Sequence, residues 1–203
     1  MSSSDCAAAA GNESVGGGGS SRSSEDRKTD HELDVHLMQT VKDVKFKSRP
    51  KFLAFGEVNF RRSCLDAHNV LRQRHGCPPL VWCEDLGKIA QQWAVKIVEK
   101  GRILYPELPG ISENIRLISN ANSADHLPTG GEVVEFWLQE AQHFDYAKPR
   151  WRTGTQHFSQ MVWRETADFG VSRCWHQGRA LVAVVALYRP AGNSNQPADF
   201  AHN

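Results

Sequence analysis

Hydrophobic residues recur at helical spacing in three stretches of the chain, and each stretch predicts a helix. The first covers residues 57–76 and ends at a glycine that two prolines follow closely. The second covers residues 84–101, with acidic residues at its start and a basic residue near its end. The third covers residues 133–144, where Thr129 and Glu132 have the spacing of a capping box just before the apolar run.

The period changes to that of strands in the last third of the chain. Residues 168–175 and 180–188 are runs of strand length, and the polar segment 176–179 between them predicts a hairpin-like turn. The second run is apolar at nearly every position, which is typical of a strand covered on both faces. Three helices followed by a strand pair predict an α+β fold in which helices pack on an antiparallel sheet.

Composition divides the chain into two parts. The 203 residues carry a formal charge of +1, are 40% hydrophobic and have a mean hydropathy of −0.50. Residues 1–56 are predicted to be a disordered or weakly structured tail and linker, because the first 30 positions are rich in Ser, Gly and Ala. Residues 57–203 are predicted to be one domain. The balanced charge argues against nucleic-acid binding, and no apolar run reaches the roughly 18–20 residues of a transmembrane segment.

The end of the predicted linker is basic. Five lysines and arginines between residues 42 and 52 oppose a single aspartate, and phenylalanines lie among them. The segment is interpreted either as a solvated linker or as a surface attracted to anionic membranes. The second interpretation relies on a gain of about 1 kcal/mol for each basic residue near such a membrane.

The amino terminus and the cysteine content predict an intracellular protein. Residues 1–20 have neither the basic start nor the apolar core of a secretory signal. Five cysteines are a sparse, odd set, which fits a reducing compartment better than a disulfide-stabilised domain.

A few polar positions in the predicted domain could carry chemistry. His68 and Asn69 lie in the first predicted helix, Glu113 in a loop-like segment, Glu140 in the third helix, and His157 beyond it. Carboxylates and imidazoles together can form a metal site or an acid–base pair. A buried group with satisfied hydrogen bonds is the commoner explanation for any one of them, because they lie far apart in sequence.

His157 is predicted to start a short helix. Phe158, Met161 and Val162 would then share one face and anchor the segment to the core. His157 would project from this base, and its expected partner is Glu113 or Glu140.

Four motifs in this region together resemble a known family. They are His157–Trp163 (HFSQMVW), Tyr188–Asn193 (YRPAGN), His68–Arg72 (HNVLR) and Glu113–Ile115 (ENI). All four occur in the order found in the CAP superfamily, which includes cysteine-rich secretory proteins, insect-venom antigens and plant pathogenesis-related proteins. Several segments resemble its Golgi-associated, non-secreted branch.

The resemblance implies a three-layer α-β-α sandwich with a central antiparallel sheet and a large open cleft. In the family, two histidines and two glutamates line this cleft and can bind a divalent metal such as zinc. Glu113, Glu140 and His157 match three of these positions. The remaining histidine is replaced in the segment Tyr105-Pro106, so any metal site here would be weak, with one imidazole and two carboxylates.

Other motif residues are expected to have structural roles. The resemblance implies that the histidine of the His68–Arg72 motif lies on a buried helix. Asparagine side chains are expected to satisfy backbone groups that would otherwise be buried without partners. These residues are His68, Asn69, Asn114 and Asn193.

Three functions remain open on the sequence. The favoured one is a non-enzymatic binding module whose cleft takes a lipid, a sterol, an anionic membrane surface or a protein partner. The second is a metal-assisted hydrolase or peptidase that uses the glutamates and His157 of the cleft. The third is a self-associating scaffold, for example a homodimer. The expected location is the cytosol or the Golgi membrane surface, and the alternative is the extracellular space, where most of the family acts.

Overall fold

The computed structural model describes residues 51–121, 127–194 and 200, with side chains from residue 56 onward. Its helices are α1 (Lys51–Arg74), α2 (Glu84–Lys100), α3 (Gly130–Leu138) and α4 (Gln156–Met161). Its strands are β1 (Val81–Trp82), β2 (Ser112–Ser119), β3 (Asp168–His176) and β4 (Leu181–Arg189). Short 3₁₀ helices, Gln139–His143 and Gln177–Arg179, follow α3 and β3.

The strands form one sheet in the order β1-β3-β4-β2. β4 pairs antiparallel with both β3 and β2, whereas β1 pairs parallel with β3 over two residues. The sequence pattern predicted β3 and β4 but missed the two outer strands, because β1 is very short and β2 carries polar side chains among its apolar ones. The segment around Glu113, predicted to be a loop, is part of β2.

Helices cover both faces of the sheet, which confirms the predicted α-β-α sandwich. Helix α2 packs on one face, where its apolar residues meet Ala183, Val185 and Leu187 of β4. Helices α1, α3 and α4 pack on the other face, around Trp137 and Tyr188. Alternate residues of β4 therefore enter two different cores, which explains why every residue from 182 to 188 is buried.

Local sequence signals set several helix ends. Helix α2 stops at Gly101, which has the left-handed φ of 69° that glycine adopts without strain. The side chains of Thr129 and Glu132 form the predicted capping box at the start of α3. The third predicted helix is shorter than expected, because α3 stops at Leu138 and a 3₁₀ helix continues the chain to His143.

Helix α1 begins at Lys51, ahead of the predicted start at residue 57. It therefore crosses the predicted division between residues 1–56 and 57–203. The rest of the predicted tail, including the basic segment up to residue 50, lies outside the described residues. In the part of the chain that the structure describes, no helix is both long and apolar enough for a membrane span.

Candidate functional site

Glu140 and His157 form a close pair on the face of the sheet that carries α1, α3 and α4. Glu140 Oε1 accepts a hydrogen bond from His157 Nδ1 at 2.6 Å. Glu140 Oε2 accepts from the backbone N–H groups of His157 and Phe158, at 2.8 and 3.1 Å. The side chains of Glu140 and His157 are only 18% and 23% exposed. Of the two partners expected for His157, the structure brings Glu140 into contact.

The environment of Glu140 favours its ionised form. Burial by itself raises the pKa of this carboxyl group. The hydrogen bond and charge of His157, together with the two backbone N–H donors, outweigh burial and lower the pKa. The result is a carboxylate with three donors aimed at it.

Buried aromatic and aliphatic side chains pack around His157 and its helix. The Trp137 indole stacks on the His157 ring, with ring centroids 6.0 Å apart and planes 16° from parallel. Phe158 and Met161 are fully buried and Val162 is half-buried, in agreement with the helical face expected for this segment. His157 therefore stands on a rigid base.

A chain of buried hydrogen bonds links His157 to helix α1. Asn114 Nδ2 donates to the His157 carbonyl at 3.0 Å and to the Tyr188 hydroxyl at 3.2 Å. The Tyr188 hydroxyl lies 2.8 Å from His68 Nε2, and His68 Nδ1 lies 2.7 Å from the Cys64 carbonyl. Because a carbonyl can only accept, Nδ1 of His68 carries the proton, and Tyr188 donates to Nε2. His68 and Asn114 thus make the buried contacts that a structural role requires.

His68 is kept neutral by its surroundings. Complete burial, reinforced by the charge of Arg72, lowers its pKa from 6.5 to about 4, although the hydrogen bond to Cys64 acts in the opposite direction. In the unfolded chain the same imidazole takes up a proton near its ordinary pKa.

This difference predicts that acid destabilises the fold through His68. Between its folded and unfolded pKa values the unfolded state binds the extra proton, so stability falls as the pH falls. We expect His68 to account for a loss of about 2 kcal/mol between pH 7.5 and pH 5, measured by urea unfolding. The variant His68→Gln should lack this part of the pH dependence. Equal slopes for both proteins would contradict the assignment.

Glu113 lies apart from the Glu140–His157 pair. In β2 it is opposite Leu187, and Asn114 is opposite Ala186. Leu187 belongs to the core beneath α2, so Glu113 lies on the sheet face that carries α2, whereas Asn114 lies on the opposite face and contacts α4. Burial raises the pKa of the Glu113 carboxyl group, and the nearby charge of Glu107 raises it further. We expected Glu113 to meet Glu140 and His157 in one recess. The register of β2 instead places Glu113 on the opposite face of the sheet.

Asn69 and Asn193 satisfy backbone groups, as expected for structural residues. Asn69 Oδ1 accepts from the Leu80 N–H at 2.7 Å, and its Nδ2 donates to the Leu80 carbonyl at 3.1 Å. Asn193 Nδ2 donates to the Gln156 carbonyl at 2.8 Å, and its Oδ1 accepts from the Ser159 hydroxyl at 2.6 Å. Asn193 therefore fastens the Tyr188–Asn193 motif to the start of α4.

The side chains of this site do not fit the divalent metal that the family resemblance implies. Both oxygens of Glu140 already accept hydrogen bonds, and Glu113 faces the other side of the sheet. Pro106, in the segment where relatives carry the second histidine, is buried and has no donor atom in its side chain. Within residues 51–121, 127–194 and 200, no three His, Cys, Asp or Glu side chains are grouped so that they could hold a metal ion.

Two features near the site had no role predicted from the sequence. Arg72 is completely buried and donates to backbone carbonyls at and beyond the carboxyl end of α4, although its spacing of four from His68 could have placed it on the buried face of α1. Residues 144–152 (FDYAKPRWR) form a largely exposed segment that contains both aromatic and basic residues. That composition is visible in the sequence, but its exposure is not.

Comparison with known proteins assigns the family. The model for the cysteine-rich secretory protein family, CAP, matches residues 65–188, which is more than half of the chain. The chain belongs to the CAP family. This confirms the resemblance carried by the four motifs, and the match includes the Glu140–His157 pair of the CAP domain.

Relatives of this CAP domain come from animals, plants and fungi. Golgi-associated plant pathogenesis-related protein 1 of Homo sapiens is 36% identical over 146 residues, covering 71% of this chain and 91% of the relative. Pathogenesis-related protein 1A of Nicotiana tabacum is 28% identical over 137 residues, covering 66% and 77% of the two chains. The crystal structure of NaASP2 with Zn²⁺ has a TM-score of 0.54 at 21% identity, over 68% of this chain and 84% of that one, which supports the shared fold.

Proposed function

We propose that this CAP protein is a non-enzymatic binding module that docks on anionic lipid membranes. The observation that carries the proposal is the exposed segment 144–152, here called the aromatic–basic loop. Tyr146 and Trp151 are 61% and 48% exposed. Three basic side chains and one acidic side chain leave the loop with a net charge of +2. The basic residues are Lys148, Arg150 and Arg152.

The aromatic–basic loop is anchored to the site rather than detached from it. Phe144, at its base, packs edge-to-face on buried Phe158, with ring centroids 5.5 Å apart. Tyr146 packs on Phe144 at 5.1 Å. Asp145, the acidic residue of the loop, accepts from the backbone N–H of Ala147 at 3.1 Å and thereby shapes the turn. The exposed aromatic rings are therefore presented from a fixed base next to His157.

The chemistry of the loop matches a membrane–water interface. Tryptophan and tyrosine are favoured there, because an apolar ring and a polar group occupy the two sides of the boundary. Each lysine or arginine near an anionic surface contributes about 1 kcal/mol. This attraction is screened by salt, so binding should weaken when the ionic strength rises.

Vesicle sedimentation tests the proposal. We expect the protein to pellet with phosphatidylcholine vesicles that contain phosphatidylserine, and to remain in the supernatant with phosphatidylcholine alone. Adding about 0.5 M salt should release it, because the Debye length then falls well below 10 Å. Pelleting that is indifferent to both lipid charge and salt would refute the proposal.

Matched variants identify the surface responsible. Replacing Lys148, Arg150 and Arg152 by glutamine removes three positive charges from the loop. Replacing Lys88, Lys96 and Lys100 by glutamine removes the same charge from α2, on the opposite face of the sheet. We expect the first triple variant to lose sedimentation with anionic vesicles and the second to retain it.

The alternative of a hydrolase has less support from the geometry. Hydrolysis through His157 needs a nucleophile or an activated water beside the ring. Ser159 lies two positions away, but its hydroxyl is within bonding distance of the Thr155 carbonyl, at 3.0 Å, and of Asn193 Oδ1, at 2.6 Å. The Ser159 hydroxyl is therefore not poised as a nucleophile for His157, which favours binding over hydrolysis.

The proposed location is the Golgi membrane surface, because the human relative at 36% identity is named as Golgi-associated. A sterol, as an additional membrane component, remains part of the same proposal. Self-association as a homodimer remains a prediction. It does not use the apolar strand β4, which is buried between β3 and β2.

A further inference from the structure

We infer that Glu140 caps helix α4 and positions the His157 ring, and that this closed pair does not take the zinc ion that the family resemblance implies. The inference is independent of the proposed membrane function. It concerns the hydrogen bonds of the pair, whereas membrane docking concerns the exposed aromatic–basic loop.

Helix α4 has no cap from its own sequence. Its N-cap residue, Thr155, makes no side-chain capping bond, and the Thr155 hydroxyl donates instead to the Arg152 carbonyl at 2.9 Å. The first N–H groups of a helix have no acceptors within the helix. Glu140 Oε2 supplies the acceptor for two of them, those of His157 and Phe158. A side chain from a distant segment thus does what a serine or aspartate usually does from the N-cap.

The same carboxylate determines the orientation of the His157 ring. Oε1 accepts from Nδ1 at 2.6 Å, so Nδ1 carries a proton. Trp137 stacks along the ring and restricts its rotation. Nε2 is then the ring atom left for a ligand, and Glu140 is a positioning residue for it.

A zinc site needs more ligands than this arrangement supplies. Zinc sites in proteins use at least three protein ligands with nitrogen, sulfur or oxygen donors. His157 Nε2 provides one, Glu140 is occupied by three donors, and the segment Tyr105-Pro106, where the family resemblance implies a second histidine, has no imidazole. The register of β2 with β4 places Glu113 on the other face of the sheet, the one that carries α2.

NMR of the full-length protein labelled with ¹⁵N-histidine tests the inference. We expect Nδ1 of the His157 ring to carry a proton, and equimolar ZnCl₂ should leave the resonances of the ring unchanged. His68, whose Nδ1–H is bound by the Cys64 carbonyl, serves as an internal reference. A zinc-dependent shift of the His157 Nε2 resonance at equimolar metal would overturn the inference.

Substitution of Glu140 provides a second, independent test. Glu140→Gln should lower Tm by roughly 5 °C and change the tautomer ratio of His157 while leaving that of His68 unchanged. Glu135→Gln, on the exposed side of α3, removes the same charge and should do neither. A Glu140→Gln protein with unchanged Tm and an unchanged His157 tautomer would also overturn the inference. If that variant does not fold, the zinc titration of the unaltered protein still decides the outcome.

Discussion

Replacing Arg72 by methionine is expected to lower the free energy of unfolding by about 4 kcal/mol or more. The Arg72 side chain is completely buried within the fold. Every acceptor that the structure shows for it is a backbone carbonyl, with distances from 2.6 to 3.4 Å. Those carbonyls belong to Pro78, Met161, Trp163, Arg164 and Thr166.

The magnitude follows from what the substitution leaves behind. Methionine fills a similar volume, but the carbonyls that Arg72 satisfied would remain buried without donors, at about 1–3 kcal/mol each before relaxation. Because most of these carbonyls lie just beyond α4, the loss should also loosen the segment that carries His157. Urea unfolding measures the effect.

Arg164→Met is the matched control for this prediction. Arg164 is exposed and donates to the Gly76 carbonyl at 3.0 Å, so its loss should cost less than about 1 kcal/mol. Similar destabilisation by the two substitutions would show that the buried carbonyls do not depend on Arg72.

Replacing Gly130 by alanine is expected to destabilise the protein by about 3 kcal/mol, through a clash between two helices. Gly130 is the first residue of α3, and it lies directly against α1. An added Cβ would stand 2.2 Å from the Cys64 nitrogen and 2.5 Å from the Phe60 carbonyl oxygen. These are backbone atoms, so α1 and α3 would have to separate. The Gly130 N–H would then also move away from the Ser63 hydroxyl, its acceptor at 3.1 Å.

The adjacent glycine offers a control with the same chemistry. A Cβ at Gly131 would meet nothing within 4 Å. Gly131→Ala should therefore be neutral or stabilise α3 by roughly 0.5–1 kcal/mol, because alanine has less freedom to lose on folding. In thermal or urea unfolding, the Gly130→Ala protein should be less stable than the unaltered protein, whereas the Gly131→Ala protein should be at least as stable. A loss at Gly131 equal to that at Gly130 would refute the close-contact explanation.

Much of the fold could be predicted because the signals are local. The helical spacing in α1 and α2, the capping box of Thr129 and Glu132, and the apolar run of β4 each depend on neighbouring residues. The strand β2 could not be recognised in the same way. Its Asn114 faces Tyr188 and its Glu113 faces the other side, so polarity does not alternate as in a half-exposed strand. The two residues of β1 are too few to form a pattern.

Part of the candidate site could likewise be predicted from the sequence, and part could not. Motif order was enough to identify the family, and the resemblance selected Glu113, Glu140 and His157 as candidate cleft residues. It was not enough to place Glu113, because a shift of one residue along a strand moves a side chain to the opposite face. Motif order also could not show that both carboxylate oxygens of Glu140 accept hydrogen bonds from α4, since the donors lie 17 and 18 positions away in the chain.

By itself, then, the sequence determined the helix-forming and strand-forming stretches, the family, and the residue types available for chemistry. Periodicity, capping and motif order act over a few residues, or through inherited similarity, and they can be read without coordinates. Only the tertiary structure decided which carboxylate meets His157, which face Glu113 occupies, and that the rings of Tyr146 and Trp151 are presented to solvent. Those outcomes depend on strand register and on packing between distant segments, where one residue or a few ångströms changes the partner of a side chain.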